Sequence, residues 1–264
     1  MPFTPSHAVI ALPFVRTPLV PAAIAIGAMT PDLPLFVRGI GLNYAFTHTL
    51  SNVLWTSLLA FALFLLWRTV LRPAVPELAP PALSRKIPEE WSQRGVAAAR
   101  SAVGVGEKSS YPGLLAVSFL IGVVSHIVWD LFTHEGRWGV QVLPILDEMW
   151  GPLPGFKWLQ YGSSIVGLAI LGMWAWRWLR RRTPRRDTTS ALAQSVRIAW
   201  WVSLPVLLVA AWCWGLVALG PLDADFTFRH LAYRVLPPAC AVWGVGTLLL
   251  CVVLLFRNRR HQAG

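Results

Sequence analysis

Six side chains of the kinds that bind metal ions lie in or beside apolar stretches of this 264-residue chain. Ionisable groups cost free energy inside membrane spans, so residues of this kind usually mark a function. Imidazole and carboxylate groups supply the nitrogen and oxygen ligands that zinc and related divalent ions prefer. The sequence therefore predicts a divalent-metal site, with zinc as the first candidate. The six predicted ligands are His7, Asp32, His48, His126, Asp130 and His134.

Three of these residues, His126, Asp130 and His134, follow one another at intervals of four. Such spacing places them on one face of a helix, as in helices that offer two ligands to one ion. On a straight helix His126 and His134 are separated by ~12 Å along the axis, so they cannot share an ion. Either Asp130 bridges two ions, or the helix ends near Phe132 and His134 turns back. A buried hydrogen-bond network between His126 and Asp130 explains the pattern equally well.

Acidic residues near this segment are candidates for catalysis. A divalent ion activates water near neutral pH, which makes hydrolysis the natural reaction of such a site. Asp130 and Glu135 are the predicted catalytic residues. Asp147 and Glu148 lie in the same predicted loop as Glu135 and are further candidates for a general base or an extra ligand.

The elements that must position these residues are membrane helices. The chain is 55% hydrophobic and only 13% charged, with a mean hydropathy of +0.55. Its long apolar runs are each near the ~20 residues that cross a bilayer core of ~30 Å. We predict an all-α polytopic membrane protein with five full spans after an N-terminal helical hairpin, forming a single integral membrane domain over residues 1–264. The five runs are 51–67, 111–129, 159–176, 198–219 and 235–256.

The N-terminal hairpin is predicted because prolines and an arginine interrupt residues 6–30. Each piece is too short to cross a bilayer alone. We predict short helices over about 6–14 and 18–29, with Ser6 as the N-cap of the first and a proline in the first turn of the second. Pairing the two helices brings His7 and Asp32 to the same end.

The formal net charge of +11 is distributed as in membrane proteins. Lysines and arginines cluster beside the ends of the apolar runs, which is the positive-inside pattern. No basic face of a soluble domain is visible, so we expect no nucleic-acid partner. We expect the loop 73–110 and the C-terminus in the cytoplasm, the predicted site outside, and the lipid bilayer as the partner. The sequence does not set the oligomeric state.

Several motifs resemble a known family. The opening Met1-Pro2-Phe3-Thr4-Pro5-Ser6-His7, the Thr30-Pro31-Asp32 tripeptide and the run from Ser125 to His134 are similar to a bacterial membrane-protein family, domain of unknown function 4184. More distantly, the order of these residues resembles inner-membrane metal-dependent hydrolases and zinc-dependent phospholipase C. That resemblance implies a metal-dependent hydrolase in a bacterial inner membrane with all six residues in its site. Asn43-Tyr44-Ala45-Phe46 departs from the His-Arg that those hydrolases carry before Thr-His.

Three functions are compatible with the pattern. The first is hydrolysis of a phosphoester or lipid-like substrate at the extracytoplasmic face. The second is an ion or proton transporter that uses His126 and Asp130, and the third is a non-catalytic membrane scaffold. A transport path needs polar residues on several spans, whereas 159–176, 198–219 and 235–256 contain no acid, base or histidine. This distribution favours a site at one face of the membrane.

Overall fold

The computed structural model describes residues 3–37, 41–185, 192–223 and 225–262, with side chains up to 257. The described chain is all-α apart from one pair of two-residue strands. Four helices are long and apolar enough to cross a membrane, which agrees with the predicted membrane spans. They are Leu50–Leu78, Tyr111–Thr133, Gln194–Ala218 and Phe228–Arg257.

The predicted count of five full spans is not confirmed. The run 159–176 does form a helix, Gly155–Arg180, which is long enough to cross a bilayer. Gln160, Ser163 and Ser164 interrupt its apolar character near the N-terminus, however, and it is not among the four apolar helices.

Helices form nearly all of the described secondary structure. The α-helices are α1 (Pro21–Met29), α2 (Leu33–Phe36), α3 (Tyr44–Thr47), α4 (Val53–Leu66), α5 (Arg72–Leu78), α6 (Pro81–Ser84), α7 (Gly95–Ala102), α8 (Tyr111–Thr133), α9 (Trp138–Val142), α10 (Gly155–Arg180), α11 (Gln194–Ala218) and α12 (Phe228–Gln262). The 3-10 helices cover Thr4–Phe14, Thr30–Asp32, Leu50–Asn52, Glu89–Ser92 and Pro144–Leu146. Strands β1 (Met149–Trp150) and β2 (Leu153–Pro154) pair antiparallel.

The N-terminal hairpin is present, but its first segment differs from the prediction. This segment is a 3-10 helix over Thr4–Phe14, and Phe3 rather than Ser6 precedes it without a side-chain cap. A proline occupies the first turn, where its missing N–H is not needed. The second helix begins at Pro21, which confirms the expected first-turn proline.

The helix predicted to end at Trp67 continues to Leu78. A π-helical turn over Trp67–Leu71 joins α4 to α5. Pro73 lies in the first turn of α5, where the helix tolerates a residue without an N–H. The predicted loop 73–110 is therefore helical at its start, and it also contains α6, a short 3-10 helix and α7.

The described chain divides into two compact units. The first comprises Met1–Pro34, Asn43–Leu65 and Arg100–Arg182, and the second comprises Leu35–Leu42, Leu66–Ala99 and Thr183–Gly264. The prediction of one integral domain stays a prediction. In the second unit α11 and α12 pack together, and Trp243 donates a hydrogen bond to Ser203 across them.

In the first unit the hairpin packs tightly against α8. A Cβ atom added to Gly122 would lie 2.3 Å from the Ile24 carbonyl oxygen, and one added to Gly27 would lie 2.8 Å from the Phe119 carbonyl oxygen. Small residues allow such close backbone approach between membrane helices. Ala23, Phe64, Leu115 and Phe119 belong to the apolar core beside this contact. The approach fixes the end of α1, and with it Asp32, against α8.

Gly122→Ala should therefore destabilise the first unit. The added methyl group forces the α1 backbone away, at a cost of ~1–3 kcal/mol for overpacking. The melting temperature in detergent should fall by roughly 2–4 °C per kcal/mol. Gly172→Ala is the matched control, because Gly172 lies inside α10 with nothing within 4 Å of an added Cβ. Equal melting temperatures for the two variants would contradict the tight α1–α8 contact.

Candidate metal centre

Four side-chain atoms converge at one point in the first unit. His48 Nε2 lies 3.2 Å from His126 Nε2, 3.5 Å from Asp130 Oδ2 and 3.6 Å from Asp32 Oδ1. His126 Nε2 lies 3.6 Å from Asp130 Oδ2 and 3.7 Å from Asp32 Oδ1. His126 and Asp32 are fully buried, and Asp130 and His48 are 4% and 5% exposed.

The backbone explains why these residues meet. His126 and Asp130 are one turn apart on α8, and Asp32 ends the 3-10 turn that follows α1. His48 lies at the C-terminal end of α3, which Thr47 fixes by donating a hydrogen bond of 2.7 Å to the Pro31 carbonyl. Each ligand is thus held by a different contact with the hairpin or with α8.

The distances suit the ligands of one metal ion. Ligand atoms ~2.0–2.1 Å from a tetrahedral zinc ion lie ~3.3–3.4 Å from one another. The five separations measured between these atoms run from 3.2 to 3.7 Å. Calcium and magnesium prefer six or more oxygen ligands, whereas two nitrogens and two oxygens suit zinc or a similar ion.

Hydrogen bonding on the far side of each imidazole aims a lone pair at the centre. His126 Nδ1 lies 2.7 Å from the Ala28 carbonyl oxygen, and His48 Nδ1 lies 2.9 Å from the Tyr44 carbonyl oxygen. A carbonyl oxygen only accepts, so each Nδ1 carries the hydrogen. In the neutral tautomer each Nε2 is then an unprotonated ligand, oriented as in known metal sites.

The charge of the cluster also favours a bound cation. Two carboxylates and two neutral imidazoles bring a charge of −2 into a buried space, which is costly unless it is compensated. Asp32 Oδ1, one of the converging atoms, is buried and has no hydrogen-bond partner among the described residues. A divalent cation would balance the two carboxylates and supply the missing partner.

A proton is the other species that can occupy this place. Burial by itself lowers the pKa of His48, but hydrogen bonds with the Asp130 and Asp32 carboxylates outweigh it and raise the pKa above its usual value. A proton on His48 Nε2 would bond only one of its three neighbours at a time. A divalent ion would contact these ligand atoms together, and we therefore interpret the cluster as a candidate metal centre.

His7 lies beside the four converging atoms. Its ring stacks on His126 with the centroids 4.0 Å apart, and it forms a second potential metal group with Asp32 and His126. Burial lowers the pKa of His7 to about 4. Its Nε2 atom is buried and has no partner within the described part of the chain. His7 is thus a neutral base next to the centre.

His134 contacts Asp130 rather than the converging atoms. The α8 helix ends at Thr133, which agrees with the predicted alternative in which His134 turns back. Its Nδ1 lies 3.2 Å from the Asp130 carbonyl oxygen and 3.6 Å from Asp130 Oδ2. On its other side, Lys157 donates to Gln160 Oε1, and Gln160 Nε2 lies 3.2 Å from His134 Nε2. His134 therefore orients Asp130 and belongs to neither potential metal group.

Two contacts at the centre were not predicted from the sequence. Thr4 donates a hydrogen bond of 2.7 Å to Asp32 Oδ2, which leaves Oδ1 directed at the centre. Tyr44 stacks on His48 at 3.7 Å and donates to Asp130 Oδ2 at 3.4 Å. Burial is the main cause that raises the pKa of Tyr44, so its hydroxyl stays protonated. The spacing of four between Tyr44 and His48 was the available signal.

The predicted acidic loop residues lie apart from the centre. Glu135, Asp147 and Glu148 are all exposed, and none of them belongs to the metal groups found in the described residues. The structure brings together five of the six predicted ligands directly and adds His134 through Asp130.

The comparison with known proteins gives a family and nothing beyond it. The family described as Domain of unknown function (DUF4184) matches residues 1–255, and the chain belongs to it. This confirms the resemblance carried by the opening heptad and the later His and Asp motifs. No curated protein and no solved structure matches the chain. The more distant resemblance to hydrolases stays a prediction.

Loss of one converging ligand should remove the ion. Purified protein loaded with zinc should keep one ion per chain, measured by elemental analysis after excess metal is removed. His134 contacts a ligand rather than the ion, so His134→Ala should weaken zinc affinity by ~10–100-fold. His126→Ala and Asp32→Ala each remove a ligand and should weaken zinc affinity by more than that. His230→Ala is the control, since His230 is exposed and bonds only its own loop. Equal zinc content in all five proteins would contradict the metal centre.

Proposed function

We propose that this DUF4184 protein is a membrane-embedded, divalent-metal-dependent hydrolase that acts on a phosphoester or lipid-like substrate. The convergence of Asp32, His48, His126 and Asp130 at ligand-to-ligand distances is the observation that carries the proposal. The donor set favours zinc as the ion. Two of the four candidate membrane helices lie at least partly in the unit that contains the centre. An amphiphilic substrate suits a centre in this position, because it can lie at the membrane surface.

The reaction would add water across a phosphoester bond. A bound divalent ion polarises such a bond and activates water. The hydroxyl group of water joins phosphorus, one water proton passes to a base, and the leaving alkoxide takes up a proton. His7 Nε2 is suited to accept the proton, because it is neutral, buried beside Asp32 and without another partner in the described residues. Glu135 is exposed and would have to move to do the same.

The chain would lie in a bacterial inner membrane, with the C-terminus in the cytoplasm and the centre at the outer face. The support is the placement of arginines beside the span ends, notably Arg177, Arg180, Arg181 and Arg182 at the end of α10. Substrate would then reach the centre from the outer leaflet or from outside the cell.

One observation counts against hydrolysis and therefore keeps an ion transporter as the second candidate. Catalytic zinc sites keep a coordination position open, whereas four ligands close the shell in structural sites. Here four side-chain atoms converge and each residue is at most 5% exposed. Hydrolysis therefore requires one ligand to release the ion or the ion to add a fifth partner. His48 is the ligand most suited to move, since it follows a four-residue helix rather than lying inside a long one.

A substrate screen separates the two candidates. The wild-type protein in detergent should hydrolyse at least one of a panel of phospholipids and phosphodiesters, and a chelator should stop the reaction. Asp130→Asn keeps the shape of the side chain but not its charge, so the rate should fall by at least ~100-fold. His230→Ala should keep the wild-type rate.

The transporter predicts a different outcome. Turnover would be absent on every substrate, and proteoliposomes would show a flux of divalent ions or protons that Asp130→Asn stops. That combination would overturn the hydrolase proposal and leave the metal centre in place.

A further inference from the structure

An apolar groove of about 520 Å³ lies between α4 and α8 in the first unit. Its volume is within the ~300–1,000 Å³ of cavities that hold small-molecule ligands. Both helices are parts of the membrane-spanning candidates. The lining is almost entirely hydrocarbon, and its main residues are Leu54, Leu58, Phe61, Leu115, Ala116 and Phe119.

The groove begins close to the metal centre. Its upper end on α8 is Leu120, which precedes His126 by six residues and thus by ~9 Å along the helix. It extends to Pro112, a further ~12 Å. One leaflet of a bilayer has a hydrocarbon depth of ~15 Å, half of ~30 Å. The groove therefore runs ~12 Å along α8, slightly less than the hydrocarbon depth of one leaflet.

Ser57 is the polar residue of this lining. Its Oγ atom is buried and has no hydrogen-bond partner in the described part of the chain. Serine in a helix ordinarily bonds the carbonyl group one turn earlier. A buried hydroxyl without a partner is costly, and an ester carbonyl oxygen is an acceptor that would satisfy it.

We propose that this groove binds one acyl chain of a phospholipid, with its ester carbonyl at Ser57 and its phosphate group toward the metal centre. The placement of the phosphate rests on the proposed hydrolase function, whereas binding of the acyl chain does not. The substrate class is then a membrane phospholipid rather than a soluble phosphoester.

Photolabelling tests the groove directly. Zinc-loaded protein is mixed with phosphatidylglycerol that carries a photoactivatable group on one acyl chain, and labelled residues are mapped by mass spectrometry. Labels should concentrate on 54–61 and 112–120. Ala116→Trp fills the groove and should lower this labelling about tenfold. Ser57→Ala removes one hydrogen bond and should lower it about threefold.

Val117→Trp is the matched control, because Val117 is exposed on the same helix and does not line the groove. It should leave the labelling unchanged, and both tryptophan variants should keep their zinc. If Ala116→Trp loses its zinc, Ala116→Leu replaces it, with Val117→Leu as its control. Labels spread evenly over the exposed face, or equal labelling of the position 116 and 117 variants, would overturn the proposal. Groove labelling without hydrolysis of any phospholipid would keep the acyl-chain site and reject the hydrolase.

Discussion

The first unit depends on one electrostatic constraint, the meeting of four electron-pair donors in a space that excludes water. Two imidazole nitrogens lie 3.2 Å from each other and 3.5–3.7 Å from two carboxylate oxygens, and these atoms repel unless a cation stands between them. Backbone carbonyls hold the hydrogens of His48 and His126 on the outer side of each ring. The fold thus fixes a cluster that is unfavourable alone and favourable around a divalent ion.

Packing of the hairpin against α8 makes that cluster possible. The contact at Gly27 and Gly122 brings α1 to backbone distance from α8, so the Ala28 carbonyl reaches His126. Thr47 donates a hydrogen bond to the Pro31 carbonyl, which fixes α3 and places His48 beside the other ligands. A second row of contacts, Lys157 to Gln160 to His134, then orients Asp130 from α10. Each of these helices therefore contributes a ligand or positions a ligand that another segment contributes.

Local patterns in the sequence predicted much of this arrangement. The spacing of four in His126 and Asp130 required one helix face, and apolar runs of about the ~20 residues of a membrane span required long helices. The prolines of residues 6–30 required a broken hairpin, which brings His7 and Asp32 together. Such features depend on neighbours in the chain, and sequence shows them directly.

Other features depend on contacts that the sequence does not encode locally. The position of His134 depends on its contact with Gln160, which is 26 residues away in the sequence. The contact of Tyr44 depends on α8, which brings Asp130 to its hydroxyl group. After Leu66 a π-helical turn continues the helix into a segment that contains prolines, although prolines in a sequence usually predict the end of a helix. Polar residues in α10 serve the first unit by bonding Phe3 and His134, and the sequence does not show these distant partners.

X-ray absorption spectroscopy of the zinc-loaded protein tests the metal centre most directly, because it reports the ligands of the ion without a substrate. We predict a first shell of four nitrogen and oxygen atoms at ~2.0–2.1 Å, with outer-shell scattering from two imidazole rings. His126→Ala should remove the scattering of one ring. A shell of six oxygens without imidazole scattering, or a protein that retains no zinc, would contradict the metal centre.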